Sequence, residues 1–109
     1  MKHIKQYESI ELNDLKKFVI YQSTSRSNDN NIDHYLLYIF EILTTNNTEV
    51  FVKRHYEYNT ILEKLIPNEK AKIRGTLNFL LENTQFTSDD IQDCIDILPV
   101  LTETKKYNL

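Results

Sequence analysis

Residues 32–44 read Ile-Asp-His-Tyr-Leu-Leu-Tyr-Ile-Phe-Glu-Ile-Leu-Thr, and the reading of this stretch decides the fold. On a helical wheel of about 100° per residue, Ile42, Tyr35, Ile39, Ile32, Leu43, Leu36, Phe40 and Leu37 cover well over half the circumference. Glu41, His34 and Tyr38 are left for solvent. Asn31 stands at the N-cap position, with Asp33 in the first turn. A helix apolar over so wide an arc needs neighbours on most sides. The reading therefore makes it the central helix of a bundle.

Working outward, the other apolar segments show similar spacing. Ser9 is placed to cap a first helix to about Gln22, with Leu12, Leu15, Phe18, Val19 and Gln22 in one arc. Asn13 is a competing start. Between these two helices lies the polar stretch 23–31, the expected flexible loop. After the break at Thr44–Thr48, a third helix to about Ile66 is read from Phe51, His55, Tyr58, Leu62, Leu65 and Ile66, a 4-3-4-3 spacing. Pro67 ends it, and Asn68 caps a fourth helix with a stripe of Ile73, Leu77, Leu80 and Leu81. Thr87 with Asp90, or Ser88, starts a fifth that buries Ile91, Cys94, Ile95 and Leu98 and stops at Pro99. The tail 100–109 is expected to be partly disordered.

The fold class read this way is all-α, a single domain 1–109 of about five short helices with the second at the centre. The alternative is α+β, with a small hairpin near residues 48–58, because Glu49-Val-Phe-Val has β propensity.

Composition bounds the function. A chain of 109 residues supports one core and leaves no room for a doubly wound dinucleotide fold or an eight-unit βα barrel. The lone Cys94 cannot form an intramolecular disulfide. No signal peptide is read in MKHIKQYESI, and the longest apolar stretch is too short to span a bilayer. A cytoplasmic protein without membrane contact is expected.

The net charge of −3 is unevenly spread: residues 75–104 hold Glu82, Asp89, Asp90, Asp93, Asp96 and Glu103 and neither Lys nor Arg. That field repels nucleic-acid phosphates and attracts basic protein surfaces. A helix-turn-helix made of the fourth and fifth helices would present aspartates to the groove, so no direct DNA binding is expected.

Motifs for chemistry are sparse. The three histidines, His3, His34 and His55, and Cys94 show no metal-ligand spacing, so neither a metal nor a cofactor is expected. Gly75 is the only glycine, which removes a glycine-rich phosphate loop. His55, in an apolar stripe beside Arg54, reads as a partly buried core histidine. As a general base, His55 or His34 would make the chain a small phosphodiester hydrolase or nuclease. Tyr56 and Tyr58 beside Lys53 and Arg54 could clamp a nucleic-acid strand, but Tyr58 is expected in the core.

Two surfaces suit a protein partner. Asp89, Asp93 and Asp96 form an i, i+4, i+7 row with Asp90 beside them and Ile97 at the edge, and the mutual repulsion of the carboxylates would be relieved by a basic partner. Ala71, Gly75 and Phe79, at i, i+4, i+8, form the back of the fourth helix, where small residues admit another backbone and Phe79 anchors it. That face would also serve a homodimer.

The function expected from these features is non-enzymatic. A small acidic protein would bind and inhibit a basic partner, as an immunity protein or antitoxin neutralising a nuclease-type toxin does. The alternatives are the small hydrolase, an oligomeric adaptor, and an anti-host factor from a mobile element.

Overall fold

A computed structural model describes residues 10–25 and 34–107. A short 3-10 turn, Leu12–Asp14, leads into β1 (Phe18–Ser25), β2 (His34–Thr45), β3 (Glu49–Asn59) and β4 (Lys64–Thr76). Helix α1 (Leu77–Asn83), strand β5 (Thr84–Ser88) and helix α2 (Ile91–Tyr107) complete the chain. The strands form one antiparallel sheet in the order β4-β3-β2-β1-β5.

The fold is thus sheet-dominated, and the all-α bundle is overturned. The α+β alternative is closer, but the strands extend far beyond a hairpin at 48–58. The reason lies in residues 34–45. They are indeed central, in the middle strand of five, with side chains alternating between two cores. Leu37 and Ile39 join Phe18, Ile20, Tyr58, Cys94, Leu98 and Leu101 on one face. Phe40 joins Val19, Val50, Val52, Leu77 and Leu80 on the other, with Tyr38 packed against that cluster. A strand covered on both sides reads as a nearly continuous apolar run, and on a wheel such a run imitates a broadly apolar helix.

The third predicted helix fails for a second reason. β3 changes register against β2 between Ile39 and Phe40, and against β4 on both sides of Arg54. Val50 and Val52 face one core while Tyr58 faces the other, although all three positions are even-numbered. An irregularity that slips a strand's phase turns strict alternation into apparent 3–4 spacing.

Of the predicted breaks, the one at Thr44–Thr48 holds, whereas Pro67 lies inside β4. At Thr44–Thr48 the β2–β3 turn forms on Asn46, whose Oδ1 accepts the Thr48 and Glu49 amides at 2.9 and 2.7 Å. The β3–β4 turn, which falls inside the predicted third helix, uses Asn59 in the same way, accepting from Ile61 and Leu62, and closes at Glu63 with φ of 53°. Asn68 caps no helix. It lies in β4, where its backbone and side-chain oxygens accept from Arg54 Nε and Nη2 at 3.2 and 3.1 Å.

Only the last part of the predicted fourth helix is helical. Leu77 and Leu80 are buried as expected, with Leu81 and Ile73 packed beside them, but Ile73 arrives from β4. The first predicted helix is the 3-10 turn followed by β1. The predicted loop 23–31 overlaps β1 at Ser23–Ser25, and its residues 26–31 lie outside the described residues.

The fifth helix is α2. Asp90 caps it, its Oδ1 accepting the Gln92 amide at 2.9 Å, while Ser88 Oγ donates to Asp93 Oδ2 at 2.7 Å. Cys94, Leu98 and Leu101, at i, i+4 and i+7, are buried against the sheet. Pro99 lies inside α2, which continues to Tyr107. No described helix is long and apolar enough to cross a membrane.

Candidate functional site

The two faces of the sheet are covered unequally. α2 is a helix of 17 residues on one face, while α1 has only 7 on the other. Among the described residues the sheet is left open beside α1 as an apolar cleft of about 250 Å³. Tyr21, Phe40, Val50, Ile73, Gly75 and Phe79 are among the residues that line it. Phe79 is 58% exposed in its wall.

The short helix is held where the cleft needs it. The Leu77 amide donates to Thr48 O at 3.0 Å, fixing the start of α1 to the β2–β3 turn. At its other end Asn83 Nδ2 donates to Phe79 O at 2.8 Å and Thr84 Oγ1 to Leu80 O at 2.7 Å, so side chains satisfy carbonyls that a helix terminus leaves free. Leu77 and Leu80 anchor the inner side, and Phe79 is consequently turned outward.

A row of rings crosses this face. Phe79 lies 6.2 Å from Tyr21, Tyr21 lies 5.3 Å from Phe40, and Phe40 stacks on Tyr38 at 5.6 Å with an interplanar angle of 8°. The Arg54 guanidinium closes the row 5.3 Å from the Tyr38 ring. Burial raises the hydroxyl pKa of Tyr21, with Tyr38 adding to it. Burial raises that of Tyr38 too, reinforced by Glu57 and opposed by Arg54. Both hydroxyls are therefore neutral donors at physiological pH. The cleft lining is predominantly apolar.

Gly75 and Phe79 are brought together here, but not along one helix. Gly75 comes from β4 and Phe79 from α1, so the predicted helix back of Ala71, Gly75 and Phe79 does not exist. Ala71 is exposed on β4 and does not line the cleft. A Cβ added at Gly75 would meet only Val50 Cγ1, at 3.8 Å, an ordinary van der Waals contact.

The acidic row lies at the opposite edge of the sheet, after β5. Asp89, Asp90, Asp93 and Asp96 are all exposed, as expected, but each carboxylate has a local duty. Asp89 Oδ1 accepts the Lys17 amide at 3.2 Å, Asp90 and Asp93 hold the start of α2, and Asp96 accepts from Gln92 Nε2 at 2.9 Å. Ile97 is half-buried against the α2-side core.

His55 faces the α2 side of the sheet. Its Nε2 lies 2.8 Å from Glu41 Oε1, and its ring meets Phe18 edge-on at 5.9 Å. Sequence spacing gave no hint of Glu41 as its partner, because the pairing is made across β2 and β3. Tyr58 is buried, as expected, while Arg54 sits on the cleft face, so the two do not form a clamp. His3 and the side chain of His34 lie outside the described residues. Among the described residues no group of three His, Cys, Asp or Glu could hold a metal ion.

No protein-family model, no curated protein and no solved structure matches this chain.

Proposed function

We propose that this chain is a non-enzymatic protein-binding module that seats an apolar side chain of its partner in the α1 cleft. The observation that carries the reading is the cleft itself: about 250 Å³ of apolar space with Phe79 exposed at its wall. That volume is below the roughly 300–1,000 Å³ of small-molecule sites and suits one large side chain. An aromatic or aliphatic anchor filling a pocket is the usual centre of a protein interface. Single-stranded nucleic acid fits less well. Phe40 is buried and stacked on Tyr38, which leaves no succession of free ring faces for bases.

A second reading keeps the inhibitor form, an immunity protein or antitoxin covering a basic, nuclease-type toxin. It is favoured by the four exposed aspartates around the start of α2, in a stretch that holds neither Lys nor Arg. Their local hydrogen bonds leave carboxylate oxygens for a partner, so cap and contact are compatible.

Both readings are tested by capture from a lysate of the source cells at low and moderate salt, with Phe79→Ser and Asp96→Lys run beside the unaltered chain. Loss of a stoichiometric partner with Phe79→Ser alone supports the cleft. Loss with Asp96→Lys alone, relieved at low salt, assigns the contact to the acidic row. A partner retained by both variants, or recovery of the chain alone, counts against both surfaces.

A further inference from the structure

The cleft reaches the edge of the sheet, and what forms that edge says what kind of segment would enter it. β4 is an edge strand of 13 residues, with no strand on its outer side among the described residues. Every second residue of such a strand turns its N–H and C=O outward. Much of β4 is protected against pairing: Pro67 lacks a donor, and Lys72, with φ of 146°, breaks the regular backbone. From Ile73 to Thr76, however, β4 keeps an unbroken register with Val52 to Glu49. This regular stretch contains Gly75 and borders the cleft.

The side chains of the stretch divide by face. Ile73 and Gly75 lie on the cleft face, opposite Val52 and Val50. Arg74 pairs in register with Phe51 and bonds Glu49, and Lys72 Nζ lies 5.0 Å from the Phe51 ring, so both cationic groups stand on the other face, although Arg74 also borders the cleft. Lys70 and Lys72 have no carboxylate at ion-pair distance among the described residues. Between Lys64 and Thr76 four cationic side chains accompany one acidic one, Glu69.

We propose that β4 takes up an extended segment of a partner protein in which apolar and acidic residues alternate, with an aromatic residue opposite Gly75. The aromatic side chain enters the cleft over the glycine, and the acidic side chains meet Lys72 and Arg74. An aromatic residue across from an edge glycine covers the space the missing side chain leaves. Alternation at period two puts the apolar and acidic sets on the two faces that match them. The proposal rests on the cleft being the binding site and adds the backbone pairing and the charge.

The test uses the whole chain with two synthetic peptides, acetyl-Asp-Ile-Asp-Phe-Asp-Ile-Asp-amide and its counterpart with Lys in place of Asp. Chemical shifts of backbone amides and aromatic rings, with hydrogen exchange, are the readouts. The expected result is that the acidic peptide shifts Ile73–Thr76 and slows exchange of β4 amides, while the lysine peptide binds at least tenfold more weakly. Gly75→Val should lose tenfold or more in acidic-peptide affinity, since its side chain fills the space over the glycine; its Cβ meets Val50 Cγ1 at an ordinary contact distance and valine favours strands, and the thermal midpoint checks that it folds. Should that variant fail to fold, Lys72→Glu leaves Gly75 in place and is expected to weaken the acidic peptide several-fold. Equal binding of the two peptides overturns the proposal. Shifts confined to the Tyr21 and Phe79 rings, with no slowed β4 amide, overturn strand addition and leave the cleft reading standing. Binding of neither peptide overturns strand addition, and the capture experiment then judges the cleft alone.

Discussion

The rings of Tyr21 and Phe79 face each other 6.2 Å apart, tilted by 46°, across a cleft that joins β1 to α1. They are 58 positions apart in the chain. Because Phe79 is 58% exposed, its packing contributes little to the core, and its position is held by Leu77 and Leu80 beside it.

Truncation on the two sides of α1 should therefore separate binding from stability. Leu80→Ala removes a buried side chain and should cost about 2–5 kcal/mol, whereas Phe79→Ala should cost about 1 kcal/mol or less. A double-mutant cycle of Phe79→Ala with Tyr21→Ala should give a coupling of about 0.5 kcal/mol, the low end for an aromatic pair. Urea denaturation followed by circular dichroism checks all three. A loss at Phe79 as large as that at Leu80 would make the ring a core residue.

The acidic row should divide in the same way. Asp90→Ala removes the α2 cap and should cost about 1 kcal/mol. Asp93→Lys also disturbs the start of α2, because Asp93 accepts from Ser88 Oγ. Asp96→Lys should be nearly neutral, since its one hydrogen bond is exposed. Only Asp96→Lys is thus a clean charge reversal, and equal destabilisation by Asp90→Ala and Asp96→Lys in urea would contradict the cap assignment.

The pair of Glu41 and His55 should behave as a structural contact. The coupling from Glu41→Ala and His55→Ala should be about 1 kcal/mol, as for a part-buried side-chain hydrogen bond. Stability in urea near neutral pH measures it. Additive losses would show that the 2.8 Å contact contributes nothing.

Cys94 should be inert while the chain is folded. Burial, reinforced by Asp93 and Asp90, pushes its thiol from an ordinary value of 9.0 up to about 12. Burial raises Tyr21 and Tyr38 as well. In each case the native state keeps a proton that the unfolded chain releases, so stability is fully present below the unfolded pKa and falls as pH rises. For Cys94 the window runs from about pH 9 to about 12. Alkylation by iodoacetamide at pH 8 should follow the unfolding equilibrium, and rapid reaction in the native state would refute the burial.

Much of the local punctuation was legible in the chain. The Thr44–Thr48 break is the β2–β3 turn because Asn46 can bond the amides that follow it, and this is a property of a few neighbouring residues. The helix after Ser88 and its inward Cys94 and Leu98 were readable because one helix packed on one side keeps its 3.6-residue period, but its cap is Asp90, not Thr87 or Ser88, and it runs on through Pro99.

What only the tertiary structure decided is the state of residues 34–76 and the site that follows from it. A run buried on both faces carries no period to distinguish strand from helix, so the choice fell to long-range pairing of β2 with β1 and β3. Register irregularities in β3 then blurred the alternation that remained. The cleft needs Tyr21, Phe40, Gly75 and Phe79 from three strands and a helix. Their identities are in the sequence, but their meeting is a consequence of strand order, which no local pattern encodes.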